Sequence, residues 1–120
     1  MQVGYVVLYV NDADICSRFW VEQVGMVEKR RSDAGGAPII QVGFADQPFA
    51  FELVPIEMMQ DNPDGLDLAT PSIGFTVDDL EDTHAALVAR GVRATDVGEH
   101  QGTASFAFAD PEGRWFAVTQ

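Results

Sequence analysis

The chain has 120 residues, 47% of them hydrophobic and 22% charged, enough for one globular domain and too few for two of ordinary size. Nineteen acidic residues against seven basic ones give a net charge of −12, which repels phosphate backbones and anionic lipid. Nucleic-acid and membrane binding are therefore not expected, and a single cysteine, Cys16, excludes a disulfide framework or a cysteine-based zinc cluster.

The elements follow in chain order. Residues 2–11 form a strand rich in Val and Tyr. Asp12 caps a helix that runs to about Val24, with Ile15, Cys16, Phe19 and Val24 as its buried stripe. Gly25 takes the left-handed position after it. Strands are predicted at 26–32, 38–44 and 48–54, with DAGGA (33–37) and ADQP (45–48) as the loops between them. Residues 55–70 are polar, contain Pro and Gly, and read as a connector.

The order then begins again. A strand at 71–77 leads to Asp78 or Asp79 as the cap of a helix through Arg90, with Leu80, His84, Leu87 and Val88 on one face and Gly91 at its end. Strands at 92–98, 103–109 and 115–119 follow, the last two joined by the type I turn DPEG (110–113). The predicted fold class is α+β: two βαβββ modules forming a curved mixed sheet around a concave cavity, with helices on the outer face. Module one spans 2–55, the connector 56–70 and module two 71–120, all as one domain. YVVLYVND at 5–12 parallels SIGFTVDD at 72–79, and this internal repeat outweighs any single element.

VDDLEDTHAALVARGV (77–92), FADPEGRWFAVTQ (108–120) and YVNDADICSRFWVEQVGM (9–26) resemble the vicinal oxygen chelate superfamily, which includes glyoxalase I, bleomycin-resistance proteins and extradiol dioxygenases. The resemblance implies the paired-module fold and, for the family's enzymes, four metal-ligating positions. These fall here on Tyr5, Glu52, Ser72 and Ala117. Only Glu52 is a good ligand, and one carboxylate does not hold a divalent ion. The expectation is a metal-free branch without cofactor, closest to the bleomycin-resistance proteins. The family further implies a homodimer.

Strand alternation places Tyr5, Val7 and Tyr9, Ala50, Glu52 and Val54, Ser72, Gly74 and Thr76, and Trp115, Ala117 and Thr119 on the cavity side. The opposite set, including Leu8, Phe51, Phe75 and Phe116, is almost wholly apolar and suits packing beneath helices. The cavity side is aromatic, small and sparsely polar, as a site for a flat or cationic ligand would be. Glu52 can anchor an ammonium or act as a general base, or it can pair with Arg93 or Arg114. Lys29, Arg30 and Arg31 read as a solvated strand edge, and Met58 and Met59 as a cover or partner contact. His84 reads as a packed helix residue and His100 as part of an exposed loop.

The expected function is binding and sequestration of an aromatic or cationic, antibiotic-like small molecule. Nothing in the sequence looks like a signal peptide or membrane span, so a cytoplasmic protein is the default. The alternative is a lyase, isomerase or dioxygenase that uses a metal, or Glu52 as base with Tyr5 as acid.

Overall fold

The computed structural model describes residues 1–33, 36–62 and 65–120, without the side chain of His100. The middle of the DAGGA loop and two residues of the connector lie outside these. The chain divides into two compact units, Met1–Thr70 and Pro71–Gln120. Each carries one four-stranded mixed sheet.

In the first unit, β1 (Tyr5–Val10) is followed by α1 (Ala13–Arg18), wider π-type turns over Phe19–Val24, and β2 (Val27–Ser32), β3 (Ile39–Gly43) and β4 (Ala50–Pro55). A single 3-10 turn, Ile56–Met59, opens the connector. The second unit repeats the order with β5 (Gly74–Thr76), α2 (Leu80–Ala89), β6 (Gly98–His100), β7 (Thr103–Ala109) and β8 (Trp115–Thr119). Strand orders are β1-β4-β3-β2 and β5-β8-β7-β6. First and last strands pair in parallel in both units and the others antiparallel. The repeat read from 5–12 and 72–79 is thus a repeat of topology.

Helix starts follow the two aspartates. Asp12 Oδ1 accepts from Ile15 N at 3.0 Å, and Asp79 Oδ1 accepts from Asp82 N at 3.0 Å. Both satisfy a backbone donor that the helix itself leaves open. Replacing Asp79 by alanine is expected to cost about 1 kcal/mol, read as a lower urea midpoint with an unchanged m-value. At the other end of α2, Gly91 at φ 83° lets Gly91 N reach Val88 O and Val92 N reach Leu87 O, each at 3.0 Å. This pair of bonds closes the helix.

The helix stripes differ from the periodic reading. In α1 the buried residues are Ala13, Cys16 and Ser17, while Ile15 is 45% exposed. Phe19 and Trp20 are both buried although adjacent. The two rings meet edge-on at 5.2 Å and are buried together. Trp20 then meets Phe51 edge-on at 5.2 Å. In α2, Leu80 and Leu87 are buried, His84 meets the ring of Phe106 at 4.9 Å, and Val88 lies outside the stripe, exposed. Helix α1 packs on β3 and β4, and α2 on β7. The core is what those faces hold: Leu8, Val10, Ile40, Val42, Phe51 and Leu53 in one unit, Phe106, Phe108, Phe116 and Val118 in the other.

The predicted strand at 92–98 is misplaced. That stretch makes a single bridge, Ala94 to Phe108, and the strand proper is β6 at 98–100. Gln101 and Gly102, at φ 51° and 81°, form a two-residue turn into β7. Two successive left-handed residues are what a tight hairpin requires, so the GEHQG segment is strand and turn rather than an open loop. Strand β5 is shorter than predicted. Its ladder extends by only one bond at each end, Ala117 N to Ile73 O and Val77 N to Thr119 O.

Candidate functional site

Each sheet turns one face to its helix. The other face of the first sheet is organised by register. Tyr5 lies opposite Ala50, Val7 opposite Glu52, and Glu52 opposite Gln41. Gln41 in turn pairs with Arg30. Val7, Glu52, Gln41 and Arg30 therefore form one row across four strands, and alternation puts Tyr9 and Ile39 on the same face. Gln41 Nε2 donates to Glu52 Oε1 at 3.0 Å, orienting a half-buried carboxylate. Arg30, Ser32, Ile39, Gln41 and Glu52 line a cleft of about 180 Å³.

A β-bulge shapes this corner. The register of β2 against β3 shifts between Glu28 and Arg30, leaving Lys29 as the extra residue. The Lys29 ammonium donates to the carbonyls of Gln47 and Phe49. Its stem passes close to Gly43, where a Cβ would stand 3.0 Å from Lys29 Cε and 2.5 Å from Phe49 O. Arg31 points to the helix side and pairs with Asp14 at 2.9 Å and Glu28 at 2.8 Å. The three basic residues of the edge strand thus go to three different places, and only Arg30 faces the cleft.

Positions expected on the ligand side divide unevenly. Tyr5 is 52% exposed, Val7, Tyr9 and Glu52 are half-buried, and Ala50 is buried. Ala50 and Val54 are the buried members of the set, and Ala50 adjoins Gly43 at the corner crossed by Lys29. In the second unit, Gly74, Ala117 and Ala107 make one row, and Thr76, Thr119 and Ser105 the next. They form a flat floor of small residues, with Trp115 beside Ala109 at its end. Trp115 is 49% exposed, and the Arg93 guanidinium lies 5.3 Å from its ring centroid. Ser72 is exposed and precedes the start of β5.

Glu52 bonds Gln41, Arg93 stacks on Trp115, and Arg114 is held by Asp110 at 3.1 Å and Glu112 at 2.9 Å. His84 Nε2 lies 2.8 Å from Thr95 O, a contact that ties α2 to the following loop. Met58 borders a groove of about 430 Å³ with Gly36, Ala37, Glu57 and Gln60.

The four positions that the resemblance implies for a metal do not supply a ligand set for a divalent ion. Among the described residues no three His, Cys, Asp or Glu side chains are gathered together. Tyr5 is not even the register partner of Glu52, and Ser72 and Ala117 offer a neutral hydroxyl and no donor. The sequence reading missed Arg30, Ser32, Ile39 and Gln41. The alternation of Ile39 and Gln41 against buried Ile40 and Val42 was the available signal for β3. Arg30 could not be placed without knowing of the bulge.

Two βαβββ units, each with one helix-covered face and one open face, define a duplicated α+β architecture. The chain belongs to the Glyoxalase/Bleomycin resistance protein/Dioxygenase superfamily, whose model matches residues 2–118. No match was found among curated proteins. Among solved structures, the chain is similar to TnmS3, an antibiotic binding protein from Streptomyces sp. CB03234. That similarity has 20% identity and a TM-score of 0.80, covering 100% of this chain and 95% of that one. UcmS2 is similar at 20% identity and a TM-score of 0.80, with 99% and 97% covered. A superfamily member from Sphaerobacter thermophilus DSM 20745 is similar at 18% identity and a TM-score of 0.82, with 99% and 96% covered. No helix is long and apolar enough to cross a membrane among the described residues.

Proposed function

We propose that this protein binds and sequesters an aromatic or cationic small molecule, antibiotic-like in character, without a metal and without altering it. The observation that carries the reading is the cleft on the open face of the first sheet. There the Glu52 carboxylate is oriented by Gln41, with Val7 and Ile39 as its apolar surroundings. A fixed carboxylate beside apolar surface suits an ammonium on a flat frame. Tyr5, Tyr9, Ser72, Gly74, Thr76, Trp115 and Ala117 are the further ligand-facing residues in this proposal, and residues 1–120 act as one domain in a homodimer. The similarity to an antibiotic binding protein supports the class of ligand.

The donor set supports metal independence, since Tyr5, Ser72 and Ala117 leave Glu52 without partners for a divalent ion. The competing reading is catalysis with Glu52 as base. It would need a group to stabilise the product anion, and turnover that Glu52→Gln abolishes would favour it.

The test is metal analysis of protein purified without chelator, together with thermal unfolding against Zn, Mn, Ni and Fe(II), and then against cationic aromatic compounds. No stoichiometric metal and no metal-induced shift are expected. A compound present at a hundredfold its Kd should add about 2.7 kcal/mol, seen as a rise in Tm of several degrees. One tightly bound metal per chain would overturn the proposal, as would the absence of a shift with every compound. Sedimentation equilibrium reads the dimer.

A further inference from the structure

The three consecutive basic residues of β2 have different fates, and the difference bears on what the cleft accepts. Lys29 is engaged by two backbone carbonyls and Arg31 by two carboxylates. Arg30 makes no ion pair among the described residues, and it lines the cleft with Glu52. Register fixes their separation. Arg30 pairs with Gln41 and Gln41 with Glu52, so the cation and the carboxylate stand two strands apart with an amide between them. Adjacent strands lie about 4.8 Å apart, which puts the two backbones roughly 10 Å from each other. Gln41 spends an Nε2 hydrogen on Glu52, and its Oε1 remains available as an acceptor.

We infer that the cleft selects a dipolar ligand: an aromatic frame with an acidic group for Arg30 at one end and an amine for Glu52 and Gln41 at the other. This inference rests on the reading of the same cleft as a ligand site. On a chain of net charge −12 a carboxylate is repelled almost everywhere, so a local guanidinium decides whether an acid is tolerated. Arginine's planar fork grips a carboxylate through two parallel bonds, which sets orientation as well as charge. Complete pockets for drug-sized ligands run from about 300 to 1,000 Å³. At about 180 Å³ the cleft is subsite-sized and takes one substituted ring.

Three probes that differ only in charge test this on the full chain: 4-(aminomethyl)benzoate, benzylamine and benzoate, titrated while the amide signals of Gln41 and its strand neighbours are followed by NMR. The expected result is that 4-(aminomethyl)benzoate binds about tenfold more tightly than either single-charge probe. In Arg30→Gln the dipolar probe should fall to the level of benzylamine on the same variant. In Glu52→Gln it should fall to the level of benzoate. Arg30→Lys should recover part of the preference, since the charge remains and the fork is lost. Equal binding of 4-(aminomethyl)benzoate and benzylamine to the native protein would overturn the inference and leave the ligand-site reading standing. So would an unchanged preference in Arg30→Gln. Failure of all three probes to move the cleft signals would overturn both.

Discussion

Asp110→Ala is expected to lower the unfolding free energy of the second unit by about 3–4 kcal/mol. The carboxylate is 1% exposed and serves three donors at once. Its Oδ1 accepts from Glu112 N at 3.0 Å and Arg114 N at 2.9 Å, and its Oδ2 from Arg114 Nη1 at 3.1 Å. Arg114 then bonds Glu112 at 2.9 Å, so one guanidinium is clasped by two carboxylates in a turn of four residues. Removing one partner of a buried pair typically costs 3–5 kcal/mol, and here the guanidinium would keep only Glu112, which places the loss at the lower end. The backbone donors of the turn lose their acceptor as well. Asp110→Asn keeps an oxygen for the two backbone donors but loses the charge and sets an amide N–H where Arg114 Nη1 needs an acceptor, so about half the effect should remain. Urea unfolding followed by far-UV circular dichroism measures both variants. A loss under about 1 kcal/mol for Asp110→Ala would show that the turn is held by Gly113 and the strands alone.

This turn also links stability to the open face. It joins β7 to β8 and sets the register that places Ala109 opposite Trp115 and Ala107 opposite Ala117. Arg93 lies over the Trp115 ring, and its carbonyl accepts from Ala109 N at 2.9 Å. Loosening the turn should therefore shift the fluorescence of Trp115 before the sheet unfolds.

The DPEG motif shows why some elements were readable from the sequence. Pro and Gly punctuate it, a buried Asp fills its first position, and the strands on both sides alternate cleanly, so β7 and β8 were placed at their observed bounds. Asp12 was readable for a similar reason, since capping is local chemistry, and the second cap was narrowed to Asp78 or Asp79. The misplaced strand at 92–98 had no such local marker. Its pairing partner is β7, and the pairing stops after the one bridge at Ala94, flanked by the bonds of Arg93 O and Thr95 N, because the Thr95 hydroxyl accepts from Ala107 N in place of a further ladder bond. The bulge at Lys29 is tertiary in origin. It exists because Lys29 reaches the carbonyls of Gln47 and Phe49. The cleft inherits this limit. Glu52 could be assigned from alternation on a single strand. Arg30 depends on a one-residue insertion that reverses which basic side chain faces which side.

Phe116→Ala should cost about 4 kcal/mol, within the range for truncating a buried phenylalanine. The ring is fully buried, stacked on Phe108 at 5.6 Å and edge-on to Phe75 at 6.1 Å. Alanine would remove both aromatic contacts and leave a void that β8 cannot close without leaving its ladder with β5 and β7. Phe116→Leu refills most of that volume and should cost about 1–1.5 kcal/mol. The neighbouring residue provides the control. Trp115 lies one position away, on the other face and half exposed, so Trp115→Ala should cost no more than about 1 kcal/mol, the loss of the Arg93 contact included. That variant should instead weaken aromatic ligands, since stacking on Trp115 is lost. Two adjacent residues on one strand would then separate cleanly, one governing the urea midpoint and the other ligand affinity. If Trp115→Ala proved as destabilising as Phe116→Ala, the open face of the second sheet would be part of the core, and its floor of small residues would have no claim on a ligand.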